Sequence, residues 1–192
     1  MVILGIDPAL NRVGYGILFS DSKNENIVDC KYGVYDISPK DSTEDKLYKS
    51  FKTTQYLIQK YNVDEVVIEE AFHNPRRARG GMVVREVIGA IKVAVKQTGR
   101  PIYMYSPQTV KKVVAGSGLA KKHDVAYGIA NILNIPKFKI EMKYRGEIKK
   151  FFYSPEELVD RGLDHISDAL SISYCRLREV QKNNGRVARD AV

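Results

Sequence analysis

A chain of 192 residues with 44% apolar content is long enough to bury a core and short enough for one domain. It holds no run of about 18 apolar residues, and its start lacks the basic-then-apolar pattern of a secretory signal, so a hydrophobic membrane span and export are both excluded as expectations. Lysine and arginine number 31 against 23 aspartates and glutamates, a net charge of +8, which favours a polyanionic partner, nucleic acid being the commonest.

In chain order, residues 2–6 and 14–20 read as two apolar strands around a tight connection, and 27–35 as a third, giving an antiparallel front. Cys30 lies in this region and Cys175 in a later helix. Their spacing suits no metal, so both are expected to be free thiols of a reducing cytoplasm. Residues 42–61 have helical spacing (Leu47, Phe51, Thr54, Leu57, Ile58, Tyr61), with Ser42 and Asp45 placed as an N-cap arrangement. The apolar run 63–69 predicts a buried parallel strand that ends on Glu69 and Glu70. An Arg/Gly-rich loop over 72–81 precedes a helix over 82–97. A strand over 101–105 and a helix opened by Ser106 and Pro107 follow. The helix is stopped by Gly116-Ser117-Gly118, and another spans 121–133. Residues 137–153 mix aromatics with lysines and predict a basic hairpin turning near Arg145-Gly146. A helical turn over 155–160 and a strong helix over 164–180 complete the pattern. Residues 181–192 lose periodicity and are expected to form a flexible tail. The alternation predicts an α/β protein: a mixed sheet flanked by helices on both faces, in one domain over 1–180 with a basic insert at about 137–155.

Sites in such sheets gather at the carboxyl ends of strands. Asp7 ends the first strand, and a carboxylate there is costly to bury without a partner. Glu69 or Glu70 ends the parallel strand. Only one of the two can face a site, because neighbours on a strand point opposite ways. The last helix starts Asp164-His165-Ile166-Ser167-Asp168, where positions three and four apart share a face. Asp164 also suits an N-cap, and Asp168 suits the helix N-terminal dipole. Taken together these residues form an oxygen-rich set suited to Mg²⁺ or Mn²⁺, with a histidine tolerated beside it. Two such ions would activate water and stabilise a leaving oxygen in phosphodiester cleavage. Basic residues cluster at Arg76, Arg77, Arg79 and Arg85 and again at Lys111, Lys112, Lys121 and Lys122, as phosphate contacts would require. Gly116–Gly118 would let backbone approach a phosphate. Phe72 is suited either to the core or to stacking on an unpaired base.

These residues resemble the RuvC-type Holliday-junction resolvases of the RNase H-like superfamily. The matching motifs are Ile3-Leu4-Gly5-Ile6-Asp7-Pro8 with Gly14-Tyr15-Gly16, then Val67-Ile68-Glu69 with Phe72. They continue with Val110-Lys111, Gly116-Ser117-Gly118 and Lys122, and end with His165-Ile166-Ser167-Asp168-Ala169-Leu170. The resemblance spans nearly the whole chain and implies an RNase H-like mixed five-stranded sheet. It implies catalytic and metal-binding roles for Asp7, Glu69, His165 and Asp168, with two Mg²⁺ (or Mn²⁺) per site. It implies base stacking by Phe72 and phosphate contacts by Lys111 and Lys122, and the basic cluster adds Arg76, Arg77 and Arg79 as expected DNA contacts. It also implies a homodimer that nicks a four-way junction symmetrically in recombination and repair, with a branch-migration motor as a possible partner. Two departures stand out. Ala9 occupies a position where the family usually has glycine, so the turn there must avoid positive φ. The connection from Pro136 to Asp164 is also longer than usual.

Two other classes fit parts of the pattern. An actin-like ATPase shares the opening hairpin but needs two such domains. A non-catalytic or RNA-processing nucleic-acid binder of the same fold has no use for the full acidic set.

Overall fold

The front strands form because apolar residues alternate around glycines and a tight connection. Val2–Asp7 (β1) pairs antiparallel with Arg12–Ser20 (β2), which pairs antiparallel with Ile27–Asp36 (β3). Glu65–Glu69 (β4) lies parallel to β1, and Ile102–Tyr105 (β5) parallel to β4. The sheet is five-stranded and mixed, in the order β3-β2-β1-β4-β5. The computed structural model describes residues 1–9, 11–38, 40–70, 78–144 and 147–190, with the side chains of 78–80, 143–144 and 185–190 outside the description.

The helices are Thr43–Tyr61 (α1), Ala78–Gln97 (α2), Pro107–Ala115 (α3), Lys122–Ile132 (α4), Pro155–Asp160 (α5) and His165–Asp190 (α6). Ser42 caps α1 as expected, accepting the Asp45 N–H at 3.1 Å. Ser106 caps α3, and Pro107 takes the first-turn position where its missing N–H costs nothing. Gly116, at φ 77°, closes α3 in the left-handed conformation and donates its N–H to the Lys112 carbonyl. That local duty accounts for Gly116 without a phosphate. Helix α2 begins at Ala78, four residues before the expected start at 82, and α6 continues ten residues past the expected end at 180.

Strand alternation sorts the core into two layers. Leu4, Ile6, Val13, Ile17, Val66 and Ile68 face α1 and α2, where they pack with Leu57, Ile58, Val87 and Ile91. Ile3 and Val67 face the other way, against Val110 of α3 and Ile172 and Leu177 of α6. Helix α6 lies unusually close to the sheet because its partners there are small. A Cβ at Gly16 would come within 2.6 Å of the Leu170 N, and one at Gly5 would overlap the Ala169 carbonyl. Ser173, buried in that contact, donates to the Gly16 carbonyl at 2.8 Å. Farther along, Arg176 ties α6 to β4 through Glu65 at 2.7 Å and stacks over the Tyr103 ring.

The expected hairpin is present. Phe138–Tyr144 (β6) and Glu147–Tyr153 (β7) pair antiparallel as a separate two-stranded sheet; the expected turn residues 145–146 lie outside the described residues. Its Phe138, Ile140 and Tyr153 are buried against Val125 and Ile129 of α4 and Leu170 of α6. Among the described residues, the non-glycines at positive φ are Asn24, Asn62 and Asn134, so Ala9 adopts an ordinary conformation and needs no glycine. Both cysteines are free thiols, and no described helix is long and apolar enough to cross a membrane.

Candidate active site

The pairing register decides which carboxylates meet. Asp7 pairs with Gly14 on β2, and Ile6 pairs with Ile68 on β4, so Glu69 follows in step with Asp7. On β4, Glu65, Val67 and Glu69 share the α6 face, shown by the Glu65–Arg176 pair and by Val67 in the α6-side core. Glu69 therefore looks into the site. Glu70 is exposed, as expected of its alternate position.

Helix α6 starts directly over these strand ends. Its first residue, His165, sits on Gly14: a Cβ at Gly14 would overlap the His165 carbonyl. The imidazole Nδ1 lies 2.6 Å from Asp7 Oδ2. One turn on, Asp168 shares the His165 face. Asp7, Glu69, His165 and Asp168 line one cavity of about 290 Å³, together with Lys111 and Val110 of α3 and Lys122 and Val125 of α4. Asp164 occupies the N-cap position, where its carbonyl accepts the Asp168 N–H at 2.9 Å. Its buried carboxylate forms an ion pair with Lys122, which fixes the amino end of α4 against that of α6.

Negative charge is crowded here. Burial, then the Asp7 carboxylate and then Asp168 push the Glu69 carboxyl well above the usual range, with Lys111 opposing. Burial, then Asp7 and Asp164 push Asp168 up, against Lys122 and His165. Burial works against the His165 imidazolium, but the hydrogen bond and charge of Asp7, with Asp164 and Asp168, outweigh it and raise its pKa. Without a cation this crowding is relieved by protons held on Glu69 and Asp168. The residues thus offer hard oxygen donors and one imidazole whose carboxyls ionise together only beside added positive charge, a chemistry that fits a divalent cation. Among the described residues, no three such donors are already drawn together into a closed cage.

The raised values have a consequence for stability. A native group that holds its proton more tightly than the unfolded chain stabilises the fold fully only below its ordinary pKa, and that contribution is lost as pH rises toward the native value. With Glu69 starting from 4.5 and Asp168 from 3.8, the site weakens the metal-free fold progressively above that range. His165 adds a loss of the same sign above its ordinary 6.5. Glu69→Gln melts at the same temperature as wild type near the ordinary carboxylate range and above it at neutral pH. Thermal melts in EDTA across that range check this, and a melting difference independent of pH would contradict it.

Of the residues expected to contact DNA, Lys111 and Lys122 reach the cavity. Lys112 lines a separate groove with Tyr105, Arg178 and Lys182. Phe72, Arg76 and Arg77 lie outside the described residues, and Arg79 is on α2 with its side chain undescribed. Strand periodicity gives no indication that Gly14 is the seat beneath His165. The glycine spacing of Gly14 and Gly16, one face of one strand, was the available signal.

A mixed sheet of this order, with carboxylates at two adjacent strand ends facing the start of a long helix, defines the RNase H-like class of α/β protein. Comparison with known proteins narrows the class. The family described as crossover junction endodeoxyribonuclease RuvC matches residues 3–143. Curated RuvC proteins are similar along nearly the full length. The one from Alkaliphilus metalliredigens is 36% identical over 91% of this chain and 92% of its own, and that from Clostridioides difficile is 29% identical over 96% and 98%. In solved structures, Thermus thermophilus RuvC superposes with a TM-score of 0.70 at 24% identity, covering 96% of this chain and 98% of that one. The yeast mitochondrial Holliday junction resolvase Ydc2 gives 0.59 at 13% identity, covering 99% and 84%. The chain belongs to the RuvC crossover junction endodeoxyribonuclease family.

Proposed function

We infer that this protein is a crossover junction endodeoxyribonuclease that resolves four-way DNA junctions in recombination and repair. The observation that carries the reading is the set Asp7, Glu69, His165 and Asp168 around one cavity, flanked by Lys111 and Lys122, in a chain whose curated relatives bear that activity in their names. We assign the catalytic roles to these four residues. A binder without chemistry gains nothing from crowding carboxylates where a phosphate must approach.

The roles follow from position. Lys111 and Lys122 attract the scissile phosphate and offset its charge beside the carboxylates. Asp7 accepts the His165 Nδ1–H, which fixes the ring and leaves Nε2 to hold or move a proton of the attacking water. Asp7, Glu69 and Asp168 would hold divalent metal, Mg²⁺ or Mn²⁺ and two per site in this reading, with His165 alongside. When bound, the metal supplies Lewis-acid stabilisation of the phosphate and a more acidic water. Phe72, Arg76, Arg77 and Arg79 are assigned to the junction itself, and two copies of the chain, acting in the cytoplasm, would nick opposed strands. A branch-migration motor is the further partner this role implies.

The test is cleavage of a synthetic four-way junction in Mg²⁺ beside linear duplex of the same sequence. Paired symmetric nicks in the junction alone are expected. Equal cutting of the duplex would remove junction specificity, and tight binding without cutting in either metal would make the protein a binder.

A further inference from the structure

The β6–β7 hairpin has two unlike faces. Its inner face is fixed: Phe138 and Ile140 are buried, Phe138 packs edge-on to Tyr32 at 5.5 Å, and the Lys139 N–H donates to the Tyr32 hydroxyl at 3.2 Å. The register places Lys139 opposite Phe152 and Glu141 opposite Lys150 on the outer face, with Ile148 two residues before Lys150. There Ile148 is 75% exposed and Phe152 58%. Lys150 reaches Glu141 only at 3.9 Å, with both side chains more than half exposed. Strand β7 lies beyond residue 143, the last that the family description matches.

We propose that the outer face of the β6–β7 hairpin is a second DNA-binding surface, which holds a duplex arm of the junction through Lys139, Lys150, Ile148 and Phe152. The inference rests on the junction-resolving reading of the active site. Its physical basis is complementarity of shape and charge. A two-stranded ribbon has the width the major groove of duplex DNA admits. Lysines on such a ribbon meet the phosphates along the groove walls, while apolar tips meet thymine methyl groups and sugar edges. Apolar side chains grouped on one exposed face with lysines between them mark an interaction surface better than scattered ones do. The lysines select a polyanion over an apolar protein partner. Because the inner face is packed, the outer face is already ordered, and little entropy is lost when DNA docks. The position in the chain also fits. The buried residues of the hairpin share one apolar core with Ile166 and Leu170 of α6, which flank the cavity residue Asp168 in the chain. An arm held there belongs to the same substrate as the scissile strand.

The experiment uses the full chain, with a long-armed four-way junction titrated in EDTA at several salt concentrations and cleavage measured in Mg²⁺ at saturating junction. In Lys139→Glu/Lys150→Glu, affinity at low salt falls by about tenfold or more, and the slope of log affinity against log salt decreases by about two, one per phosphate contact. Cleavage at saturation stays at the wild-type rate, since neither lysine touches the cavity. Ile148→Ser/Phe152→Ser keeps the salt slope and weakens binding several-fold, about as expected for lost apolar contact. All four residues are exposed, so unchanged melting temperatures separate these effects from misfolding. Unchanged affinity and slope in the lysine variant overturn the proposal. So does a serine variant that alters the oligomeric mass in sedimentation, which would assign the face to a second copy of the chain. A wild-type protein that neither binds nor cuts junctions would sink the functional reading itself, an outcome distinct from both.

Discussion

Asp7→Asn binds a four-way junction as tightly as the wild type but cleaves it at least about a hundredfold more slowly, the scale of losing a positioned acid–base group. Asp7 carries more of the site than any neighbour. It is buried at the end of β1, it orients His165 through the 2.6 Å contact with Nδ1, and its charge raises the carboxyls of both Glu69 and Asp168. Asparagine keeps the shape and removes the charge. His165 then loses the partner that stabilises its imidazolium, Glu69 and Asp168 ionise more readily, and the donor set for metal loses its central oxygen charge. Binding survives because the attraction for DNA resides in the lysines, and one fewer negative charge near the phosphate favours it slightly. Single-turnover cleavage and anisotropy titrations on the same preparation separate the two. A variant that cuts at the wild-type rate would show the carboxylates assigned here to be mere structure.

Gly14→Val lowers stability by about 3 kcal/mol, the upper end of what overpacking costs, and leaves little cleavage in the fraction that folds. The added Cβ would overlap the His165 carbonyl, which is backbone and cannot rotate away. Helix α6 must lift, but it is pinned farther along by the Ser173–Gly16 hydrogen bond and the Arg176–Glu65 pair. The strain therefore falls on the first turn, where His165 and Asp168 are held. Denaturant melts and cleavage rates check both parts. Gly81→Ala, at a position where a Cβ meets nothing within 4 Å, is the control: it stays folded and shows that losing a glycine is not itself the cause. A Gly14→Val protein with native stability would mean that α6 does not rest on the sheet as closely as described.

The local elements were legible because each is written in its own neighbourhood. Ser42 and Ser106 cap the helices they precede, the apolar run ending at Glu69 is a parallel strand inside the sheet, and the aromatic–lysine mixture at 138–153 is a hairpin. Boundaries were harder. Helix α2 starts in the Arg/Gly-rich stretch, where composition argues for loop, and α6 continues past residue 180 through a sequence without apolar periodicity. The candidate site divides the same way. That Asp7, Glu69, His165 and Asp168 belong together was visible in their order at strand ends and a helix start.

By itself the sequence determined the element types, the mixed sheet, the basic character and the acidic residues available for chemistry, all of which depend on short-range periodicity and residue identity. Tertiary structure supplied the physical reason that Glu69, the residue the motif points to, faces the cavity and Glu70 does not: the parallel register with β1 sets which side of β4 meets α6. It decided that Asp164 spends its charge on Lys122, 42 residues away in the chain. It also decided that Gly14 is the seat of His165, because the distance between a strand and a helix is fixed by packing across the whole sheet.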